Sequence, residues 1–186
     1  MVLANNTSLN FLRDLRVYRL PGDVTKGIIK CETRHIYCAL GRSGPSVFKR
    51  EGDGASPAHR PMGVVTGFFR GDRVRRPQSA IQFEALDSDD GWCDAPSDPN
   101  YNLPVKLPFS ASHEVMMRDD NLYNIGLVLD WNMSPRGRAR YRGSAIFMHL
   151  CRPGFQPTQG CIGLKEGDMR WLLRHIDANT KFTIMR

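Results

Sequence analysis

Helical periodicity is nearly missing from this chain, and that constrains its fold more than any other feature. One apolar stripe recurs at helical spacing, formed by Met169, Leu172, Leu173 and Ile176 at i, i+3, i+4 and i+7. Asp168 would stand near the positive end of that helix, with Arg174 and His175 near its negative end. Elsewhere the apolar residues come in short runs bounded by Gly, Pro, Asn and Asp. Residues 15–20, 28–31, 35–40, 63–69 and 181–185 have strand-like apolar and β-branched content, with Pro21 and Gly22 as a turn after the first. Residues 123–130 and 143–149 are almost continuously apolar, the pattern of central strands buried on both faces. Residues 51–57 are turn chemistry throughout. Residues 87–108, rich in Asp, Pro, Asn and Gly, are expected to form a long ordered loop, a type that often carries function. The expected fold is mainly β, sandwich- or barrel-like, with one C-terminal helix. It spans residues 15–186 as a single domain, after an N-terminal extension of residues 1–14.

Composition narrows the alternatives. With 41% hydrophobic residues the chain is too apolar for disorder, and 186 residues can bury a core without staples. No run of about 18 apolar residues is present to span a membrane. Residues 1–8 lack the basic start and apolar run of a secretory leader, which leaves two expectations: cytoplasmic residence, or export by a segment outside this chain. Five cysteines, Cys31, Cys38, Cys93, Cys151 and Cys161, make an odd, sparse set with no CxxC pair. They read neither as a disulfide framework nor as a zinc half-site, and at least one thiol stays free in a monomer.

The charge of +7 arises from 26 Lys+Arg against 19 Asp+Glu. Arg70, Arg73, Arg75 and Arg76 form one cluster; Arg136, Arg138, Arg140 and Arg142 form another. Such clusters suit anionic partners. Neither sits in a nucleic-acid motif or has interleaved aromatics for base stacking. They are expected to be solvated loops. A basic polyanion-binding module is the distant alternative, and no nucleic acid is expected as a partner.

Chemistry concentrates between residues 146 and 164. His149 ends an apolar run, a Pro/Gly loop follows, and Cys161 stands close to Gly160 and Gly163. A thiol needs a base or a positive charge to become the attacking thiolate, and His149 serves if the loop folds back on itself. Gly160 lets the backbone approach a carbonyl, and the N–H groups around Gly160 and Cys161 can bind an oxyanion. By itself a Cys and a His in one segment more often mean a core thiol and a packed imidazole.

Thr158-Gln159-Gly160-Cys161-Ile162, preceded by His149, resembles the signature of the L,D-transpeptidase (YkuD-type) catalytic domain, in its compact bacterial branch. Residues 52–57 are similar to that family's Gly-Asp-Gly-x-Thr-Pro turn. Asp90-Gly-Trp-Cys93, Tyr101-Asn102 and the stretch from Tyr123-Asn124 to Asn132 resemble further landmarks, so the likeness covers about residues 15–186. The resemblance implies a mostly β catalytic domain acting on peptidoglycan stem peptides or muropeptides, without metal or organic cofactor. It implies Cys161 as nucleophile and His149 as general base and acid, with Thr158, Gln159 and Gly160 around the oxyanion and substrate. The thioester would pass to an amine, giving a 3-3 type cross-link, or to water, as in an L,D-carboxypeptidase or endopeptidase. It further implies a periplasmic or cell-wall setting, with the cytoplasm as the alternative.

The chain departs from the family pattern at Gln159, where His is common, and at Gly163, where Arg is common. Leu150 and His59 stand where Gly is usual, and the loop from His149 to Cys161 is short. These departures leave nucleophile and base in place and bear on the acceptor. Cys151, two residues from His149 and on the same side of an extended chain, is the competing nucleophile. Cys31, Cys38 and Cys93 are expected in the core, and Trp92 and Tyr101 in loop packing. His113 and Glu114 read as a polar loop pair, with His113 or Arg118 able to line a substrate groove.

Overall fold

The computed structural model describes residues 11–31, 34–133 and 137–186. Fourteen strands and one α-helix follow in order. The first three are β1 (Asp14–Leu20), β2 (Asp23–Lys30) and β3 (His35–Ala39), and Gly22 at φ 81° makes the turn between β1 and β2. Two short strands, β4 (Pro45–Ser46) and β5 (Ser56–Pro57), pair in parallel and hold the 51–57 turn. Next come β6 (Met62–Phe69), β7 (Phe83–Ala85), β8 (Asp90–Cys93), β9 (Pro104–Lys106) and β10 (His113–Val115). The last are β11 (Ile125–Leu129), β12 (Phe147–Leu150), β13 (Ile162–Leu164), the helix α1 (Glu166–Leu173) and β14 (Lys181–Met185).

Nine strands form one sheet in the order β11-β12-β13-β3-β2-β1-β14-β6-β7, and β6 also pairs with β11. That extra pairing closes eight of the strands into a barrel-like ring, with β7 attached to β6 as the one strand outside it. The mainly β architecture, with a single α-helix among the described residues, is what the sequence expectation described.

The near-continuous apolar runs acquire their reason here. Ile125, Leu127 and Leu129 of β11, Met148 and Leu150 of β12, and Ile162 and Leu164 of β13 enter the main core. The alternate residues Val128, Phe147 and Cys161 enter a second cluster with Phe68, Trp92, Met116, Leu122 and Tyr123. Both faces are buried, so the period-2 alternation of a half-exposed strand disappears. Phe147, without solvent exposure, meets Phe68, Trp92 and Tyr123 edge-on at 5.0–5.8 Å between ring centres. The helical stripe Met169, Leu172, Leu173 and Ile176 is wholly buried in the main core, although the helix ends at Leu173 and Ile176 lies just past the turn that follows it.

Three expectations need correction. The span 87–108 is not one long ordered loop. It contains β8 and β9, which join β10 in a separate three-stranded sheet with Trp92 opposite both Glu114 and Pro104. These strands are three or four residues long and carry little β-branched content, so their pairing is set by contacts across the sheet. Residues 143–146 are not strand: Gly143 and Ala145 take φ of 94° and 50°, and β12 starts only at Phe147. The first arginine cluster is not merely solvated. Arg70 is buried, chelates Asp72 at 2.7 and 2.8 Å, and donates to the Arg118 carbonyl. Arg73 donates to the carbonyls of Asp119 and Asp120, while Arg75 and Arg76 are exposed. In the second cluster Arg138, Arg140 and Arg142 are exposed, and Arg136 lies outside the described residues.

At the N-terminus, residues 1–10 of the expected extension lie outside the described residues. Leu12 donates its N–H to the His175 carbonyl, and Arg13 pairs with Asp177 at 2.6 Å, so the described end of that segment is fastened beside the helix. His59 adopts φ 60°, a backbone region that disfavours a Cβ and suits glycine.

Candidate active site

The pairing of β12 with β13 sets the site. They run parallel with His149 opposite Gly163, which puts Cys161, just before β13, level with Phe147. Cys161 and His149 line one pocket of about 620 Å³. Gln159 and Thr158 line it too, so the structure brings four of the five sequence-chosen residues to its wall; Gly160 lies between them in the loop. Cys151 also lines it, and its Cβ neighbours the position a Gly163 side chain would take.

Each partner of the thiol is a backbone group. The Phe147 N–H donates to Cys161 Sγ at 3.3 Å, and the thiol donates to the Ala145 carbonyl at 3.2 Å. The expected hydrogen bond between thiol and imidazole is not among these contacts. Ala145 is held in its unusual φ by Asn102, whose Oδ1 accepts from the Ala145 N–H and from Trp92 Nε1. Asn102 Nδ2 in turn donates to the carbonyls of Trp131 and Asn132. Trp92 and Tyr101 are buried, as expected of packing residues, and Tyr101 bonds to Glu51.

The His149 ring is buried and meets Tyr123 edge-on at 5.4 Å. Its Nδ1 lies 2.8 Å from the Leu150 carbonyl oxygen, so Nδ1–H is the donor there and Nε2 is left as an acceptor. No third side chain is required to fix the tautomer. Tyr123 Oη donates to Glu114 Oε1 at 2.6 Å, and Arg118 reaches the same carboxylate at 3.3 Å while chelating Asp120.

The loop before the cysteine is tied down by Thr158. Its Oγ1 donates to the Cys161 carbonyl at 2.7 Å and accepts from the Gly160 N–H at 3.1 Å. The Gly160 amide is therefore engaged already. Of the two amides considered for an oxyanion, the Cys161 N–H is the one with no acceptor among the described residues. Gly160 itself takes φ 138°, and a Cβ there would stand 2.8 Å from the Ala55 carbonyl oxygen of the 51–57 turn. That turn is braced by Asp53, which accepts from Lys49 Nζ and from the N–H groups of Arg50 and Ala55 at 2.6–2.8 Å. Glu51 of that turn and Lys49 just before it line the pocket.

Sequence reading allowed His113 or Arg118 to line a substrate groove, and both line the pocket. It missed Glu114, Asp94, Lys49 and Glu51. Glu114 sits on β10 rather than in a loop, and only the β8–β10 register carries it to the pocket.

Burial dominates the electrostatics. It pushes the Cys161 thiol up to about 12 and the His149 imidazole down to about 4, so at neutral pH both are uncharged. The consequence for stability has a definite sign. His149 binds its proton more readily in the unfolded chain, so its contribution is whole above about pH 6.5 and is lost as pH falls toward 4. We expect a loss approaching about 3 kcal/mol over that window. Urea unfolding of the wild type at pH 7 and pH 4 measures it. His149→Gln should remove that part of the pH slope, and an unchanged slope would reject the assignment.

The barrel-like β domain, with an imidazole on β12 and a thiol just before the neighbouring parallel strand β13 lining one pocket, defines a class of β domains with a cysteine and a histidine at one site. The chain matches the family model of the YkuD L,D-transpeptidase catalytic domain over residues 30–184, and it belongs to that family. Among curated proteins and among solved structures, nothing matches it. The match begins at Lys30, yet β1 and β2 before it are integral to the sheet. Family membership supports an enzyme of L,D-transpeptidase type related to peptidoglycan. Among the described residues no helix is long and apolar enough to cross a membrane.

Proposed function

We propose that the protein transfers peptidoglycan stem-peptide acyl groups through a thioester on Cys161, forming 3-3 type cross-links. The observation that carries this reading is a shared pocket holding the Cys161 thiol and an imidazole whose Nδ1 is engaged, leaving Nε2 free for a proton. Because burial keeps both groups neutral, the mechanism is general-base attack rather than reaction from a standing ion pair. Binding of the substrate carbonyl beside the Cys161 N–H replaces the contact to Ala145. Sγ then bonds to the carbonyl carbon of the diamino acid's L-centre as its proton passes to His149 Nε2. Collapse of the tetrahedral species breaks the bond to the following D-residue, and His149 returns the proton to the departing amine. The second half runs in reverse with a new nucleophile, whose proton His149 accepts. Thr158 and Gly160 hold the cysteine backbone in place, and exposed Gln159 borders the entering peptide.

Hydrolysis is the second reading, favoured by Gly163. A Cβ there would come within 3.1 Å of Cys151 Cβ and 3.2 Å of Ala39 Cβ, so both neighbours would have to give way to admit the arginine common at this place in the family. An acceptor site lacking that side chain is compatible with water as acceptor. Incubation with purified disaccharide-tetrapeptide, followed by separation of products, decides between them. The expected product is a dimer joined through two diamino acids. Tripeptide alone would overturn cross-linking and establish the carboxypeptidase. Fractionation of cells for the native protein tests the proposed wall setting against the cytoplasm.

A further inference from the structure

The pocket around Cys161 contains an acidic side chain that its own neighbours do not satisfy. Asp94, just past β8, lines the pocket, and its Oδ1 is buried without a hydrogen-bond partner among the described residues. A buried carboxylate oxygen with no donor is costly, so native structures rarely keep one idle. The pocket's cations are committed elsewhere. Lys49 holds Asp53; Arg118 chelates Asp120 and reaches Glu114; Arg152 contacts Asp120 at 3.3 Å. Asp94 takes part in no ion pair among the described residues. Its charge instead adds to that of nearby Glu114, helping burial to raise the Glu114 carboxyl. Two carboxylates on one wall, one of them lacking a donor, call for a cation from outside. The described residues form no group of three or more metal-ligating side chains, so the chemistry fits a primary ammonium, with its three N–H donors, better than a bare ion.

We propose that Asp94 receives the side-chain ammonium of a diamino acid in the stem peptide and makes the pocket selective for that amine. This rests on the stem-peptide reading above. The donor stem presents such an amine on the residue whose carbonyl is attacked, and the acceptor stem presents one as nucleophile; both share this chemistry.

The test separates the proposal from the reading beneath it. In a Cys161→Ala background, binding of a stem tripeptide ending in a diamino acid is compared with that of the same peptide acetylated on the side-chain amine. The free amine should bind about tenfold more tightly, and Asp94→Asn should erase the preference while sparing the acetylated peptide. Asp94→Ser repeats the test should the new amide find a partner of its own. A preference that survives both substitutions, or no preference at the outset, overturns the role of Asp94 alone. Failure of both peptides to bind overturns the stem-peptide reading as well. Donor and acceptor use are resolved in the Cys161 enzyme. If the donor ammonium docks at Asp94, Asp94→Asn slows acyl-enzyme formation from a free-amine tetrapeptide. If the acceptor's does, acyl-enzyme formation is unchanged and dimer formation falls. Equal slowing with free and acetylated donors would indicate a structural role and reject the proposal.

Discussion

Cys161→Ala is expected to eliminate acyl-enzyme and to reduce turnover by roughly 10⁴-fold or more, the scale on which covalent catalysis fails without its nucleophile. The reason is geometric as well as chemical. Cys161 is held by two backbone contacts, Phe147 N–H to Sγ and Sγ–H to the Ala145 carbonyl, which fix its side chain toward the pocket. Alanine keeps the Cβ and loses little packing, so the variant should fold. Intact-mass measurement after exposure to a tetrapeptide stem or a carbapenem checks the result. Cys151→Ala should leave the adduct in place, although Cys151 shares the pocket wall. An adduct that persists in Cys161→Ala and vanishes in Cys151→Ala would transfer the nucleophile's role to Cys151.

Gly160→Ala has the second largest expected effect, and it acts without touching a reacting atom. At φ 138° an L-residue is strained, and the added methyl would meet the Ala55 carbonyl oxygen at 2.8 Å. Neither backbone segment moves freely. Thr158 bonds both the Gly160 N–H and the Cys161 carbonyl, and Asp53 clamps the turn that carries Ala55. Strain at such a position costs on the order of 1–3 kcal/mol. Relief by shifting the cysteine about 1 Å should lower kcat/KM about 10²-fold. Urea unfolding and acylation kinetics read the two effects separately. A variant with native stability and native acylation would show that the close approach to Ala55 has no part in shaping the site.

Much of this was legible because the relevant signals are local. The single stripe of Met169, Leu172, Leu173 and Ile176 declared one helix, and all four residues are buried in the main core. The unbroken apolar runs at 123–130 and 143–149 declared strands buried on both faces, and β11 and β12 separate their residues between two clusters. His149 and Cys161 were visible as a motif, and Asn102 and Tyr101 as landmarks whose purpose the sequence did not disclose. The failures share one cause. β8, β9 and β10 are too short to carry a periodic signature, and Ala145 and Gly143 lie in positive-φ backbone that interrupts an otherwise strand-like run.

By itself, then, the sequence determined the strand-rich class and the lone helix, because side-chain period is a property of neighbouring residues, and the resemblance around residues 158–162 singled out Cys161 and His149 as candidates. The tertiary structure alone decided that β6 closes the ring onto β11, that the thiol rests on the Ala145 carbonyl, and that Asp94 and Glu114 face the same pocket. Those outcomes depend on register between segments far apart in the chain. A shift of one residue there turns every side chain to the opposite face, and no local pattern along the chain records which register prevails.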